Sequence, residues 1–290
     1  MEKIIKLTNV SKKFGSKEIY RDLNLEIFEN EIVGFVGENG IGKSVLFKII
    51  AGLEKPNVGR VEVFGIKIGK DRDFAPNTGI LVDSPGFIEY YDGFTNLKML
   101  AEINDKISDN DIKSIMKKLG LDPENKTKLK NYSLGMKQRL CFAMVVAANT
   151  PVMLLDEVMN GLDQQNVQLI SQVLLDLRSQ NKLIIMASHL LQNLQQYADQ
   201  VLFLKDGKII EDFNNKEETE RYLEFKSSSL LTDILNNVEV QTLPNKTSLI
   251  AIDNINQETF NQITNYLIKN NISFSVTKMS LENLFNKFYG

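Results

Sequence analysis

Gly37-Glu38-Asn39-Gly40-Ile41-Gly42-Lys43-Ser44 is the stretch from which the fold can be read. It fits the pattern G-x-x-x-x-G-K-[ST] at every fixed position. The compact apolar run Glu31 to Val36 precedes it and suits a buried parallel strand. From Ser44 to Leu53 the period becomes helical, with Val45, Leu46, Ile49 and Ile50 on one side. Three glycines let the chain wrap tightly, so that successive backbone N–H groups turn inward towards an anion. The helix that opens at the end of the loop adds the positive end of its dipole. In this context Gly37, Glu38, Asn39, Gly40, Ile41, Gly42, Lys43, Ser44 and Val45 form a candidate cradle for a nucleotide's phosphates. Lys43 would place a point charge on the β- and γ-phosphates, and the Ser44 hydroxyl would ligate Mg²⁺.

Working outward, short apolar strands alternate with helical patterns. Gly59 to Gly65 and Thr78 to Val82 read as strands, and so do Val152 to Leu155 and Leu183 to Met186, with a helix from about Gln165 to Ser179 between the last two. Ile4 to Leu7 and Leu23 to Ile27 alternate as early strands, and Asp206 to Glu211 reads as a turn and edge strand. This order predicts an α/β fold with a mostly parallel central sheet and an antiparallel β edge. Helical patterns dominate from about Thr95 to Ala148 and predict an inserted helical lobe, about 87–150. The polar run Asn214 to Glu220 marks a boundary. Beyond it, strands at Ser248 to Ile252 and Ser273 to Val276 and a helix at Gln257 to Lys269 predict a small α/β appendage, giving domains at 1–215 and 216–290.

Leu154-Leu155-Asp156-Glu157 places two adjacent carboxylates at the end of an apolar strand. Such a pair is costly there without a cation. Bound Mg²⁺ would supply one, with Asp156 holding the metal and Glu157 polarising an attacking water.

Between these segments lies Tyr132-Ser133-Leu134-Gly135-Met136-Lys137-Gln138-Arg139, which resembles the signature sequence of ATP-binding cassette (ABC) proteins. The version with Ser-Leu-Gly-Met is similar to the ATPases of bacitracin and lantibiotic export or self-immunity transporters. The ordered resemblance continues through Asn160-Gly161-Leu162-Asp163, similar to that family's D-loop, and Ala187-Ser188-His189, similar to its switch histidine. It covers roughly residues 1 to 215, and Ser280 to Phe285 also looks like the tail of that subgroup. The resemblance implies a P-loop NTPase core that binds and hydrolyses ATP with Mg²⁺. It also implies a homodimer of cassettes in the ATP-bound state, head to tail. Each ATP would then lie between one chain's Lys43 loop and the other's Ser133, Gly135 and Met136, with Asp163 nearby. On the same ground His189 would contact the γ-phosphate and Phe14 would stack on adenine, with a structural histidine and a surface or core phenylalanine as the other readings. The partner implied is a separate membrane permease for an antimicrobial peptide or similar amphipathic compound. That makes the chain cytoplasmic and peripheral on the inner face of the cell membrane.

The family's usual Gln is Asp83 here, and an acid at this place still points towards Mg²⁺ or the attacking water, with capping of the following turn as the other reading. Val158-Met159 stands where the family has Pro-Thr. The aromatic segment Phe87 to Phe94 lies, by resemblance, near the groove that receives a permease helix, with an ordinary packed lobe as the other reading.

Bulk properties narrow the class further. Lys plus Arg number 34 against 37 for Asp plus Glu, so the chain lacks the basic excess of a nucleic-acid binder and no nucleic acid is expected. The lone Cys141 excludes a disulfide framework and reads as an inert core residue. No run approaches the roughly 18 apolar residues that span a bilayer, and the start lacks a signal peptide's apolar stretch. Lys12, Lys13 and Lys17 read as a solvated face. Two other readings compete with the transporter subunit: a soluble regulatory ABC ATPase acting without a permease, and a nucleotide-binding module that no longer hydrolyses. A single cassette without coiled-coil heptads opposes the first. The Asp156-Glu157 pair and His189 oppose the second.

Overall fold

The computed structural model describes residues 2–83, 86–104, 107–215, 220–226 and 238–290, the backbone alone for 101–104. The chain divides into two compact units, Met1–Phe213 and Asn214–Gly290. Asn214 and Asn215 of the polar run fall at this division, and its residues 216–219 lie outside the described residues.

The first unit opens with two long strands, β1 (Lys3–Phe14) and β2 (Lys17–Phe28), paired antiparallel. Next come β3 (Ile32–Val36), α1 (Lys43–Ala51), β4 (Val58–Val63), β5 (Ile66–Lys67) and β6 (Thr78–Leu81). Three helices follow, α2 (Gly93–Asn104), α3 (Asp109–Lys118) and α4 (Leu134–Ala147). The chain then alternates through β7 (Val152–Asp156), α5 (Gln164–Ser179), β8 (Leu183–Ala187), α6 (Leu191–Tyr197), β9 (Gln200–Lys205) and β10 (Lys208–Asn214).

Residue patterning decides which sheet each strand joins. All five residues of β3 and of β8 are buried, as expected where helices cover both faces of a parallel sheet. These strands lie in a six-stranded sheet of order β10-β9-β3-β8-β7-β6, in which β9, β3, β8, β7 and β6 run parallel to one another. The antiparallel edge predicted from the sequence is a separate four-stranded sheet of order β2-β1-β4-β5. A single core joins the two sheets through α1: Ile5, Leu7 and Ile27 from β1 and β2 meet Leu46, Phe47, Ile49 and Ile50 of α1 and Phe35 of β3. Phe47 is fully buried, edge-on to Phe35 with ring centroids 5.8 Å apart. α1, which opens at Lys43, is thus clamped on its apolar face by both sheets.

Two sequence readings change. Only Ile4 to Leu7 and Leu23 to Ile27 were legible as strands, whereas β1 and β2 each run 12 residues. The polar half of β1 is extended because its backbone pairs with β2 and with β4 on its other edge. Lys12 is not part of a solvated face: it is 6% exposed, with its ammonium on Glu54. Cys141 is half-buried on α4, and burial pushes its thiol up to about 12, which keeps it protonated and inert at neutral pH.

The second unit holds β11 (Arg221–Lys226), β12 (Gln241–Thr242), β13 (Thr247–Ala251), α7 (Gln257–Lys269), β14 (Phe274–Lys278) and α8 (Leu281–Tyr289). Its sheet has the order β12-β13-β11-β14. Leu223, Phe225 and Ile250 of the sheet pack on Ile263 and Leu267 of α7. β11, with antiparallel partners on both edges, was not anticipated from the sequence. Among the described residues, no helix is long and apolar enough to cross a membrane.

Because α1 is held by its buried face, Phe47→Ala should destabilise the chain by about 3–5 kcal/mol through loss of packing and the cavity left behind. Chemical denaturation of wild type and variant checks this, and a loss below about 1 kcal/mol would show that the clamp on α1 is loose.

Candidate functional site

The loop between β3 and α1 takes its shape from two glycines. Gly40 has φ 76° and Gly42 φ 118°, in the region that L side chains rarely adopt. A Cβ on Gly42 would also meet Ile19 Cγ2 at 2.5 Å and Tyr20 Oη at 2.9 Å, so only glycine fits there. The buried Tyr20 hydroxyl donates to the Gly42 carbonyl at 2.7 Å and pins the end of the loop. Glu38, Asn39 and Gly40 are exposed, whereas Ile41, Ser44 and Val45 are half-buried.

Lys43 is 5% exposed, and its ammonium donates back to the carbonyls of Gly37, at 2.7 Å, and Glu38, at 3.1 Å. Burial pulls its pKa below the usual lysine value, while the charges of Glu157 and Asp156 oppose that shift. The cation is therefore desolvated and aimed at its own loop.

The acidic groups arrive from neighbouring strands. In the order β3-β8-β7-β6, the loop follows β3, His189 follows β8, Asp156 ends β7 and Asp83 follows β6. All lie beyond the carboxyl ends of parallel strands, where open α/β sheets present their ligand crevice. Burial raises the Asp156 carboxyl pKa, with smaller contributions from the charges of Glu157 and Asp83; the Ser44 hydroxyl bonded to it and the charge of Lys43 lower it. Glu157 has φ 52°, a conformation seldom adopted by so long a side chain. Its N–H donates to Ala187 O at 3.0 Å, which ties the residue to β8. One carboxylate oxygen accepts from the Asn160 carboxamide, and the other lies 3.4 Å from His189 Nδ1. His189 is itself 42% exposed on its side chain, open to a ligand.

Asp83 reaches this cluster through its charge on Asp156. Its carboxylate is 68% exposed and pairs with Lys48 of α1 at 2.6 Å. The turn it was read as capping includes Ser84 and Pro85, which lie outside the described residues.

The second predicted anion site forms a different group. Ser133 caps α4 by accepting from Met136 N at 3.2 Å, and Asp163 caps α5 by accepting from Asn166 N at 2.8 Å. A Cβ on Gly135 would lie 3.3 Å from Leu162 Cδ2, and Gln138 donates to the Asn160 carbonyl. Residues 133–138 therefore rest against 160–163. Among the described residues, no hydrogen bond or ion pair joins them to the Lys43 loop. Phe14, at the end of β1, is 47% exposed, with the Lys12 ammonium 4.6 Å from its ring centroid.

Tyr20, Gln138 and the carboxamide of Asn160 were not anticipated as parts of the site. Asn160 had a signal, three residues after Glu157 in the segment that resembles the D-loop. Tyr20 had none, because its bond to Gly42 spans 22 residues and exists only in the fold.

The donors present suit Mg²⁺. A hydroxyl and a carboxylate bonded to each other, Ser44 and Asp156, are hard oxygen ligands beside a phosphate cradle. Among the described residues no group of three or more His, Cys, Asp or Glu is placed to hold a metal. Few protein ligands is the expected state for a metal held largely by substrate phosphates and water.

The chain is similar in sequence and fold to known proteins. The family described as ABC transporter matches residues 20–160. The bacitracin transport ATP-binding protein of Bacillus licheniformis is 33% identical over 233 residues, covering 79% of this chain and 76% of that protein. The lantibiotic transport ATP-binding protein of Streptococcus pyogenes is 30% identical over 207 residues, covering 71% and 89%. Among solved structures, the dimeric post-hydrolysis state of an ATP-binding cassette bound to ADP and Pi aligns with a TM-score of 0.65 and 24% identity. That alignment covers 73% of this chain and 99% of the other, and it supports the fold.

The raised pKa of Asp156 has a measurable consequence. The native state keeps this proton to higher pH than the unfolded chain does. The group's contribution is therefore fully present below the ordinary carboxylate pKa of about 4 and is lost as pH rises through the raised value. Asp156→Asn keeps an acceptor for Ser44 without the charge. Without nucleotide, it should melt above wild type at about pH 7, with the gap closing towards about pH 4. Calorimetry at the two pH values checks this, and a variant less stable than wild type at neutral pH would contradict the burial cost.

Proposed function

The chain belongs to the ABC transporter ATP-binding proteins, and we propose that it hydrolyses MgATP between two copies of itself to drive a separate membrane permease. The observation that carries this reading is the convergence of Lys43, Ser44, Asp156, Glu157 and His189 beyond the adjacent strands β3, β8 and β7.

Backbone N–H groups of the loop and the Lys43 ammonium bind the phosphates, the ammonium exchanging its two loop carbonyls for phosphate oxygens. Ser44 and Asp156 would hold Mg²⁺, which would supply positive charge to the phosphoryl oxygens. Glu157 accepts a proton from the attacking water as the water oxygen bonds to the γ-phosphorus. The bond from that phosphorus to the β–γ bridging oxygen breaks, and ADP and phosphate result. Asn160 and His189 flank the Glu157 carboxylate and orient it, with His189 free to reach the γ-phosphate.

The Ser133 turn rests against 160–163, bonded away from the Lys43 loop of its own chain. Its helix N-terminus supplies a second set of donors, suited to the ATP held by another copy. Two copies head to tail then enclose two ATP molecules, and hydrolysis weakens the contact between them. Phe14 offers its exposed ring to the adenine. Asp83, paired with Lys48, acts on the site through its charge.

For the permease we propose docking on residues 87–94. Ile88, Tyr90 and Tyr91 are 42%, 69% and 46% exposed, yet their backbone is fixed. The buried Asn96 accepts from Ile88 N and donates to the Ile88 and Asp92 carbonyls, and Leu129 N donates to Tyr91 O. A rigid backbone carrying exposed apolar side chains suits a helix-receiving surface. The relatives named for bacitracin and lantibiotic transport favour a cargo that is an amphipathic antimicrobial peptide, exported or cleared for immunity.

Two variants test the chemistry. Lys43→Ala should lose ATP binding in a calorimetric titration, and unchanged affinity would remove Lys43 from the phosphate site. Glu157→Gln should bind ATP, accumulate as a dimer on size exclusion and turn over about 10²–10⁴-fold more slowly. Turnover at the wild-type rate would place water activation on another group.

A further inference from the structure

We propose that Lys12 is a positioning residue for the nucleobase: it occupies one face of Phe14, fixes the ring and leaves only the opposite face for the adenine. The proposal rests on the reading of Phe14 as the base platform.

Lys12 is an unusual lysine. It is 6% exposed, although lysine is almost never buried unless paired. Its ammonium donates to Glu54 Oε1 at 2.7 Å and to the Lys55 carbonyl at 2.8 Å, and it lies 4.6 Å from the Phe14 ring centroid. The ammonium holds the Glu54 carboxyl below the usual carboxylate range, chiefly through the hydrogen bond. The cation is thus fixed by two oxygens and directed at one ring.

Phe14, by contrast, is 47% exposed and ends β1. An exposed phenylalanine next to a turn would ordinarily rotate freely, and stacking a base on it would cost that freedom. Here the surrounding backbone is tied down as well. Lys13 N donates to Asn57 Oδ1 at 2.7 Å, and Asn57 N donates to Ser11 O at 2.9 Å. The anchors Glu54, Lys55 and Asn57 follow directly after α1, the helix whose first residue is Lys43. One helix therefore links the phosphate cradle to the mount of the aromatic ring. A cation over an aromatic face is attracted by the ring's quadrupole, and burial strengthens that attraction. The ring is held ready before nucleotide arrives, with about half of its residue surface still exposed.

Calorimetric titration of the full chain with MgATP and, separately, with inorganic tripolyphosphate distinguishes this from a structural role. Lys12→Met keeps the aliphatic stem and removes the charge. It should weaken ATP binding about three- to ten-fold and leave tripolyphosphate affinity unchanged, because only the base contact is touched. Combining it with Phe14→Ala should weaken ATP binding no further than Phe14→Ala alone. Glu54→Ala, which releases the ammonium from its anchor, should show the same selective loss and serves if Lys12→Met fails to fold. Equal weakening of ATP and tripolyphosphate in these variants would overturn the proposal. So would unchanged ATP affinity while Phe14→Ala still weakens it, an outcome that leaves the stacking reading intact. If Phe14→Ala itself leaves ATP affinity unchanged, the platform reading fails and the role of Lys12 falls with it.

Discussion

A desolvated cation has to be held somewhere, and in this chain the Lys43 ammonium is held by the carbonyls of the loop that precedes it. Much else follows from that arrangement. The loop can bring Gly37 O and Glu38 O to the ammonium because Gly40 and Gly42 adopt positive φ and because Tyr20 pins Gly42 from a distant strand. The buried positive charge in turn makes the Asp156-Glu157 pair tolerable beside it, and those carboxylates partly restore the pKa that burial lowers. Strand order supplies the proximity, with β8 alone separating β3 from β7. The cluster gathers a buried cation and two carboxylates beside the loop, and an incoming triphosphate with its Mg²⁺ would complete it.

The division of groups within the chain has a consequence for assembly. Lys43, Ser44, Asp156, Glu157 and His189 form one group, while Ser133, Gly135 and Met136 rest against residues 160–163. On the proposed reading each group contributes half of a nucleotide site, and the halves meet only when two copies face each other. Asn160 stands between the groups: its carbonyl accepts from Gln138 of α4 and its carboxamide donates to Glu157. On that reading, occupation of the Ser133 turn by one nucleotide would bear on the carboxylate that serves the other.

Much of this was legible because the decisive features are local. The phosphate loop with its flanking strand and helix, the five-residue parallel strands and the order of motifs need only short windows of sequence. What was not legible depends on distant contacts. The polar half of β1 reads as a loop until pairing with β2 and β4 makes it a strand. Lys12 reads as a solvated charge until Glu54, 42 residues away, buries its ammonium. β11 turns Leu223 and Phe225 inward among half-buried and exposed neighbours, and only pairing with β13 and β14 makes it a central strand. Asp83 shows the limit most plainly. Its residue type suggested metal or water, and the fold gives it Lys48 as a partner, on the same helix α1 that opens at Lys43.

The central claim is that ATP turnover at this cluster serves a permease, and one measurement bears on it most directly. Tagged Glu157→Gln protein would be purified from detergent-solubilised native membranes in the presence of MgATP, and the co-eluting proteins identified by mass spectrometry. The account predicts a stoichiometric membrane-spanning protein, which would also reveal the subunit that selects the cargo. Ribosomal or DNA-bound partners with no membrane protein would contradict it and assign the cassette to a soluble regulatory ATPase.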